Sequence, residues 1–242
     1  MRVVISQSMF FPWVGMLEQI RLADVFVHYD DVAFSKGSFT NRVQLKVASG
    51  RRWLTLPLTD VHLGQKIDEV LIQPQDSWSS KHRHLLQESL GGATYVKEAL
   101  DLYESVLHAH SNNRLSDIAR SSTLAMANYF NMQRHVEFVD SRDLGVDGTG
   151  SERVLNIVKV LGGTEYITGH GARNYLDHQQ FFEAGIEVEY MNYMCAPYQQ
   201  QHGLFTPYLS ALDLIANCGQ TGVNFLQSGT LNWRGFLGKS NG

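Results

Sequence analysis

Residues 3–31 constrain the fold of this chain more than any other stretch, because two short apolar runs flank an amphipathic segment. Residues 3–5 and 25–27 are β-branched or aromatic, which predicts two strands. Between them, residues 15–22 carry apolar side chains close to helical spacing. This order predicts a βαβ unit in which the two strands are parallel neighbours.

Polar residues follow the ends of the predicted strands throughout the chain. They are Ser6, Gln7, Asp30, Asp31, Asp140, Ser141, Thr168, Gly169, His170, Asn192 and Tyr193. In open α/β sheets, ligands bind beyond the carboxyl ends of the strands. These side chains therefore predict a ligand site along one edge of the sheet, although any α/β protein has polar residues at such positions.

The rest of the chain continues the alternation of strands and helices. A β-hairpin is predicted within residues 43–58, a short strand at 68–72, and helices at 78–89, 95–109 and 115–130. Strands at 136–139, 165–168 and 186–190 alternate with helices at 150–161 and 179–184, before a helix at 209–217. We expect an α/β fold with a mainly parallel, Rossmann-like, doubly wound sheet whose last strand is 186–190.

The length of 242 residues fits a single α/β domain. Within it we expect a β-hairpin insertion at 33–73, a helical, lid-like subregion at 76–131, and a loop-rich C-terminal wrap at 194–242.

The charge balance argues against general binding to a nucleic-acid backbone, because the net charge is −4 and the chain has no basic tract. Cys195 and Cys218 lie far apart without a metal-type spacing, which favours reduced thiols. No apolar run approaches the roughly 18 residues that a membrane span needs. We therefore expect a cytoplasmic protein with no membrane span.

Three groups of residues are candidates for chemistry. Asp30 or Asp31 could accept a proton or hold Mg²⁺, and His82 is a candidate general base. His82 and His84 would diverge on a helix, so they do not form a zinc pair. The turn at 169–171 could offer backbone N–H groups to an anion, but it lacks a P-loop lysine and also forms without any ligand.

The loop at 11–16 resembles the phosphate loop of nucleotidyltransferases. Trp13 and Met16 stand where the histidines of that loop would be, which weakens an ATP-adenylating interpretation.

A resemblance to the WbqC-like protein family runs through most of the chain. The motifs include I-S-Q-x-x-x-x-P-W-x-G at the start, A-D-V-F-V-x-x-D-D-V at 23–32, S-K-x-S-x-x-N-R at 35–42 and W-x-x-K-H at 78–82. Further matches are P-Y-x-Q at 197–200 and L-D-x-I-x-N-x-G at 212–219. Ser8 departs from the family's usual proline, and His170 lies in a turn that is usually S-G-x-G-G.

The resemblance implies a role in bacterial O-antigen or capsule polysaccharide synthesis. It is consistent with an acyl or aminoacyl transferase, glycyl included, that modifies the amine of a nucleotide-linked amino sugar. The donor is left open among acyl-CoA, aminoacyl-tRNA and a system using ATP and Mg²⁺, and the oligomeric state is also open. Two alternatives remain: an ATP-dependent nucleotidyl-transferring enzyme or ligase, and a non-catalytic assembly factor that binds sugar nucleotides.

The matched motif positions make site candidates of Gln7, Asp30, Asp31, Lys36, Asn41, Arg42, Lys81 and His82, and we assign their roles from the chemistry of the side chains. We expect His82, Asp30 and Asp31 to act in catalysis, with no protein-bound metal. The expected substrate-binding residues are Ser6, Gln7, Trp13, Tyr29, Lys36, Asn41, Arg42, Lys81, Gly169 and His170. Lys36, Arg42 and Lys81 would hold phosphates. Trp13 and Tyr29 would flank a ring, and Gln7 and Asn41 would orient a carbonyl group as hydrogen-bond donors.

Overall fold

A computed structural model describes residues 1–110 and 112–238 of the chain. Its eight strands are β1 (Arg2–Ser6), β2 (Val25–His28), β3 (Arg42–Val47), β4 (Gly50–Thr55), β5 (Glu137–Asp140), β6 (Glu165–Thr168), β7 (Glu187–Asn192) and β8 (Gly229–Asn232). The helices are α1 (Val14–Leu22), α2 (Ser79–Leu90), α3 (Val96–Ala109), α4 (Leu115–Tyr129), α5 (Gly150–Val160), α6 (His178–Glu183), α7 (Ala211–Cys218) and α8 (Trp233–Gly238).

The central sheet has six strands in the order β5-β2-β1-β6-β7-β8. β1 lies between β2 and β6 and is parallel to both, with Val3 opposite Val25 on one side and Tyr166 on the other. The predicted βαβ unit and the mainly parallel α/β sheet are thus confirmed. The chain adds strands on one side of β1 and later on the other, which creates a topological switch point between β1 and β6.

Helices cover both faces of this sheet because successive strand residues point to opposite sides. Val3 belongs to a core that also contains the apolar faces of α5 and α6. Val4 belongs to the larger core, which contains the buried faces of α1, α2, α3, α4 and α7. The expected helical subregion at 76–131 contains α2, α3 and α4, which add to this larger core.

The predicted hairpin is present as β3 and β4, a separate two-stranded antiparallel sheet. Its apolar side chains Val43, Leu45 and Leu54 are fully buried in the larger core. The hairpin is therefore packed on the α/β body through one face. Three residues of its second strand, Arg51, Arg52 and Trp53, are exposed.

Two predicted strand assignments are wrong. Residues 68–72 do not form a strand, because Ile67–Glu69 is a turn of 3-10 helix and Leu71 and Ile72 make isolated bridges alone. The strand at 186–190 is not the last one, since β8 pairs antiparallel with β7 inside the expected C-terminal wrap. That wrap also contains α7 and α8, and its final residues 239–242 lie outside the described part of the chain.

Across the two described ranges, no helix combines the length and apolar character required to cross a lipid bilayer.

Candidate functional site

An open crevice of about 690 Å³ lies beyond the carboxyl ends of β1 and β6, at the topological switch point. We call it the switch-point crevice. Its polar and aromatic lining residues are Ser6, Gln7, Trp13, Gln19, Tyr29, Ser35, Thr168, Tyr175 and Tyr193, and Gly169 also lines it. None of the described residues that line it is Asp, Glu, Lys, Arg or His. Its chemistry is that of amides, hydroxyls and aromatic rings.

The loop between β1 and α1 forms one wall of this crevice and is held from several directions. Ser8 donates from its backbone N and its Oγ to Asp30, at 2.8 and 2.7 Å. Phe11 has a positive φ of 43°, which is unfavourable for a bulky side chain. Its N–H donates to Ser122 at 2.9 Å and its carbonyl accepts from Ser210 at 2.9 Å. These bonds offset the strain and fix the loop.

Trp13 lies at the end of that loop, against the first turn of α1. A Cβ atom on Gly15 would lie 2.1 Å from the Trp13 ring, so this position needs a glycine. The indole also contacts the rings of Tyr193 and Tyr208, with centroids 5.0 and 5.3 Å away. The resulting aromatic wall is held in place by its neighbours before any ligand binds.

Two helices begin at the crevice without a capping side chain. α1 begins after Trp13, α5 begins at Gly150 after Thr149, and neither preceding residue makes a side-chain cap hydrogen bond. Trp13 and Gly150 both line the crevice. The first N–H groups of a helix carry partial positive charge and bind phosphates readily. The crevice can thus attract an anionic group although its side chains are uncharged.

A second, charged cavity of about 450 Å³ adjoins the crevice and shares Tyr29, Val32 and Gly150 with it. We call it the charged annex. It is lined by Asp31, Lys66, Asp147 and Arg153, among others.

Asp31 pairs with Arg153 and accepts a hydrogen bond of 2.7 Å from Ser141. Burial alone would raise the pKa of Asp31, but the hydrogen bonds from Arg153 and Ser141 outweigh it and lower that pKa. Arg153 also lies 5.0 Å from the centre of the Tyr29 ring. Asp31 is therefore a carboxylate at neutral pH, next to the crevice.

Asp30 has a different environment, since its side chain is completely buried. Arg120 Nε lies 2.6 Å from Asp30 Oδ2, and Arg120 pairs in turn with Asp140. Burial would raise the pKa of Asp140, but Arg142 and Arg120 lower it well below its usual range. Asp30 thus belongs to an ion-pair network and does not line the crevice.

His28 lies in the same network. Its Nδ1 is 2.9 Å from Ser8 Oγ, and burial lowers its pKa to about 4. Because Ser8 Oγ already donates to Asp30, it accepts from His28 Nδ1–H. The imidazole is therefore neutral, and it connects the ends of β1 and β2.

His82, the predicted base, lies outside the crevice. Its Nδ1 accepts from the hydroxyl group of Tyr103 at 2.8 Å, and its Nε2 donates to the carbonyl oxygen of Thr55 at 2.9 Å. Burial lowers its pKa to about 4. Because both ring nitrogens are engaged, this geometry argues for a structural tie between α2, α3 and the hairpin rather than for proton transfer.

The predicted cations lie around the hairpin. Lys36 and Arg42 line a cleft of about 950 Å³, which we call the hairpin cleft, while Lys81 lines a neighbouring cavity of about 660 Å³. Asn41 also lines the hairpin cleft, where its amide donates to the carbonyl oxygen of Leu56 at 3.1 Å. The structure does not bring these residues into the switch-point crevice.

The crevice contains five of the predicted binding residues, namely Ser6, Gln7, Trp13, Tyr29 and Gly169. His170 lies beside it, with Nε2 2.7 Å from the carbonyl oxygen of Met191 and its ring 5.3 Å from that of Tyr193. Gln19, Tyr175, Arg120 and Arg153 are not among the predicted site residues, although Arg153 and Tyr175 lie in the segments S-x-R at 151–153 and Y-L-D at 175–177, which also match the WbqC-like family. Gln19 and Arg120 lie inside α1 and α4, where no local sequence pattern indicates that they approach the site.

The fold and the crevice define the chain as an α/β protein with a ligand-sized cavity at the switch point of a mainly parallel sheet. Its sequence matches the model of the WbqC-like protein family over residues 7–225, and the chain belongs to that family. It is also 30% identical to an uncharacterized protein, Rv1507c, of Mycobacterium tuberculosis, over 93% of this chain and 97% of that protein. No solved structure shows significant similarity.

Proposed function

We propose that the protein is a transferase of surface-polysaccharide synthesis that acylates the amine of a nucleotide-linked amino sugar, with an acyl or aminoacyl group such as glycyl. The observation that carries this proposal is that the switch-point crevice is lined by amide, hydroxyl and aromatic side chains and by no charged one among its described lining residues. Amides and hydroxyls match the hydroxyl groups of a sugar, and aromatic faces pack on sugar or base rings. The family resemblance supplies the link to polysaccharide synthesis.

The position of the ligand's phosphates follows from the helix ends. α1 and α5 both begin beside the crevice, after Trp13 and at Gly150, and neither has a side-chain cap. The positive ends of these two helix dipoles would favour a diphosphate between them without a lysine or arginine. The nucleotide and the diphosphate then occupy the crevice, and the sugar is directed toward the charged annex.

In the proposed step, the neutral sugar amine attacks the carbonyl carbon of the donor. A C–N bond forms, the bond between that carbon and the carrier's oxygen or sulfur breaks, and the proton lost by nitrogen ends on the carrier. Asp31 would hold the ammonium form in place, because it is ionised and lies in the annex, and the ammonium group would lose one proton to solvent before the attack. We do not assign this role to His82 or Asp30, since both are buried outside the crevice.

Incubation of the purified protein with nucleotide-linked amino sugars and candidate donors, followed by mass spectrometry, tests the proposal. We expect a mass increment of one acyl or aminoacyl group on the sugar. Donors to compare are acyl-CoA, aminoacyl-tRNA, and a free acid with ATP and Mg²⁺. Product formed exclusively with ATP and Mg²⁺ would instead identify a ligase.

A non-catalytic binding protein is the second candidate. It is favoured by the lack of acidic, basic and histidine side chains among the described residues that line the crevice. A thermal shift with nucleotide sugars but no product with any donor would support this candidate over the transferase.

A further inference from the structure

The hairpin cleft is the largest of the described cavities, at about 950 Å³, and its charge differs from that of the crevice. Lys36, Arg42 and His62 line it, together with a single acidic residue, Asp60. Its volume lies in the range of small-molecule sites, which is roughly 300–1,000 Å³. The nucleotide sugar proposed above does not occupy it, so its basic lining has no assigned ligand.

The cations of this cleft are not neutralised within the described chain. Some cations of this protein have carboxylate partners, among them Arg2, Arg83, Lys97 and Arg120. By contrast, neither Lys36 nor Arg42 pairs with a carboxylate among the residues that the structure describes. In a chain of net charge −4, two such cations in one cavity are available to an external anion.

Arg42 is also held in a fixed position. Its Nε and Nη2 donate to the carbonyl oxygen of Gly37 at 3.1 and 2.5 Å, and its guanidinium lies 4.2 Å from the centre of the Trp53 ring. Gly37 permits this because it has a φ of +88°, and a Cβ atom there would lie 3.1 Å from Arg42 Nη2. A guanidinium held in this way loses little entropy when it binds a phosphate.

One short segment separates the hairpin cleft from the switch-point crevice. Val32 and Ser35 line the crevice, whereas Phe34 and Lys36 line the cleft. The two cavities therefore lie on opposite sides of residues 32–36. Two ligands bound in them would be neighbours on either side of this segment, so the acyl group of a donor in the cleft would have to reach past residues 32–36 to the sugar amine.

We propose that the hairpin cleft is a second ligand site, which binds the diphosphate of the small-molecule acyl donor through Lys36 and Arg42. The identity of this ligand as a donor rests on the transferase function proposed above. A diphosphate is present in coenzyme A, which carries an acyl donor, and within the triphosphate of ATP, which would activate a free acid, so the shared chemistry defines the site and the experiment distinguishes the sources.

Isothermal titration of the full chain with sodium pyrophosphate, coenzyme A and ATP, each without metal, tests this inference. We expect coenzyme A or ATP to bind, pyrophosphate to compete, and Lys36→Ala to weaken binding about tenfold, as expected for loss of one charge-assisted contact. The matched control is Lys159→Ala, which removes an exposed lysine of α5 and leaves affinity unchanged. The tighter of the two ligands identifies the donor chemistry.

Three results would overturn the inference: no binding of any of the three ligands at millimolar concentrations, equal weakening by Lys36→Ala and Lys159→Ala, or an unchanged affinity of Lys36→Ala. A parallel titration with a nucleotide-linked amino sugar separates the two proposals. If Lys36→Ala weakens that binding equally, the cleft belongs to the sugar nucleotide and a separate donor site is wrong. If the sugar nucleotide does not bind but pyrophosphate, coenzyme A or ATP does, the hairpin cleft remains a diphosphate site and the transferase proposal fails.

Discussion

Arg120 Nε lies 2.6 Å from Asp30 Oδ2, and this ion pair joins α4 to the end of β2 in the protein interior. Asp30 is completely buried, and it also accepts two hydrogen bonds from Ser8, in the loop that forms a wall of the crevice. The pair thus connects the helical subregion to the site. Its contribution is to hold the site's framework rather than to contact ligand.

The first prediction concerns this pair. Asp30→Asn should lower the free energy of unfolding by about 3 kcal/mol, because it leaves a buried arginine with one charged partner fewer. Urea denaturation measures the loss. Lys97→Ala is the control, because Lys97 and Asp101 form an exposed pair and the expected loss is about 0.5 kcal/mol or less. Equal stability of Asp30→Asn and the native chain would contradict the structural role.

The second prediction concerns His82. His82→Gln should destabilise the protein by about 1–3 kcal/mol, because it disturbs buried hydrogen bonds to Tyr103 and Thr55. The exposed neighbour His84 offers the control, since His84→Gln should leave the unfolding free energy unchanged. A catalytic base would give the opposite result, namely lost turnover at unchanged stability.

The pH dependence of stability follows from the same side chain. Burial lowers the pKa of His82 and of His28 from 6.5 to about 4. Between these values the unfolded chain binds more protons at the two histidines, so their contribution makes stability fall as the pH drops from about 6.5 toward 4 and adds no slope above that range. His82→Gln should make this slope shallower in urea titrations at several pH values. An unchanged slope would show that His82 is not buried in the neutral form.

The sequence predicted the parts of the fold that depend on local patterns. The β-branched runs beside α1 predicted the parallel pairing of β1 and β2, and the polar strand ends predicted Ser6, Gln7 and Gly169 in the crevice. It failed at β8, whose sequence G-T-L-N has one large apolar residue and becomes a strand by pairing with β7.

The other errors have the same physical origin, which is tertiary contact. The apolar residues near position 70 resemble a strand, but Ile67, Val70 and Ile72 are buried through a 3-10 turn. Arg120 lies 90 residues from Asp30 in sequence, so no local signal could indicate their ion pair. The motif order also grouped His82 and Lys36 with the crevice, whereas His82 lies on α2 against the hairpin and Lys36 lines the hairpin cleft.

The third prediction concerns Gly15 and the aromatic wall. Gly15→Ala should weaken binding of a nucleotide-linked amino sugar about tenfold or more, because the new Cβ atom would lie 2.1 Å from the Trp13 ring and displace it. Fluorescence titration and near-ultraviolet circular dichroism measure affinity and ring packing. Gly171→Ala is the matched control, since Gly171 also lines the crevice and a Cβ atom there would meet nothing within 4 Å. Unchanged affinity of Gly15→Ala would remove Trp13 from the binding site.

The fourth prediction separates Asp31 from its neighbour in sequence. If Asp31 holds the ammonium group of the acceptor, Asp31→Asn should lower kcat/KM at least about tenfold, because the amide lacks the negative charge that attracts the ammonium. The free energy of unfolding should fall less in Asp31→Asn than in Asp30→Asn, since Asp31 is partly exposed. Steady-state kinetics with the product detected by mass spectrometry give kcat/KM, and urea denaturation gives the free energy of unfolding.

Asp147→Asn is the matched control for Asp31→Asn. It removes an exposed carboxylate from the same annex and should leave kcat/KM unchanged. If Asp31→Asn and Asp147→Asn lower kcat/KM equally, Asp31 contributes only to the general field of the annex, and its specific role in holding the amine is wrong.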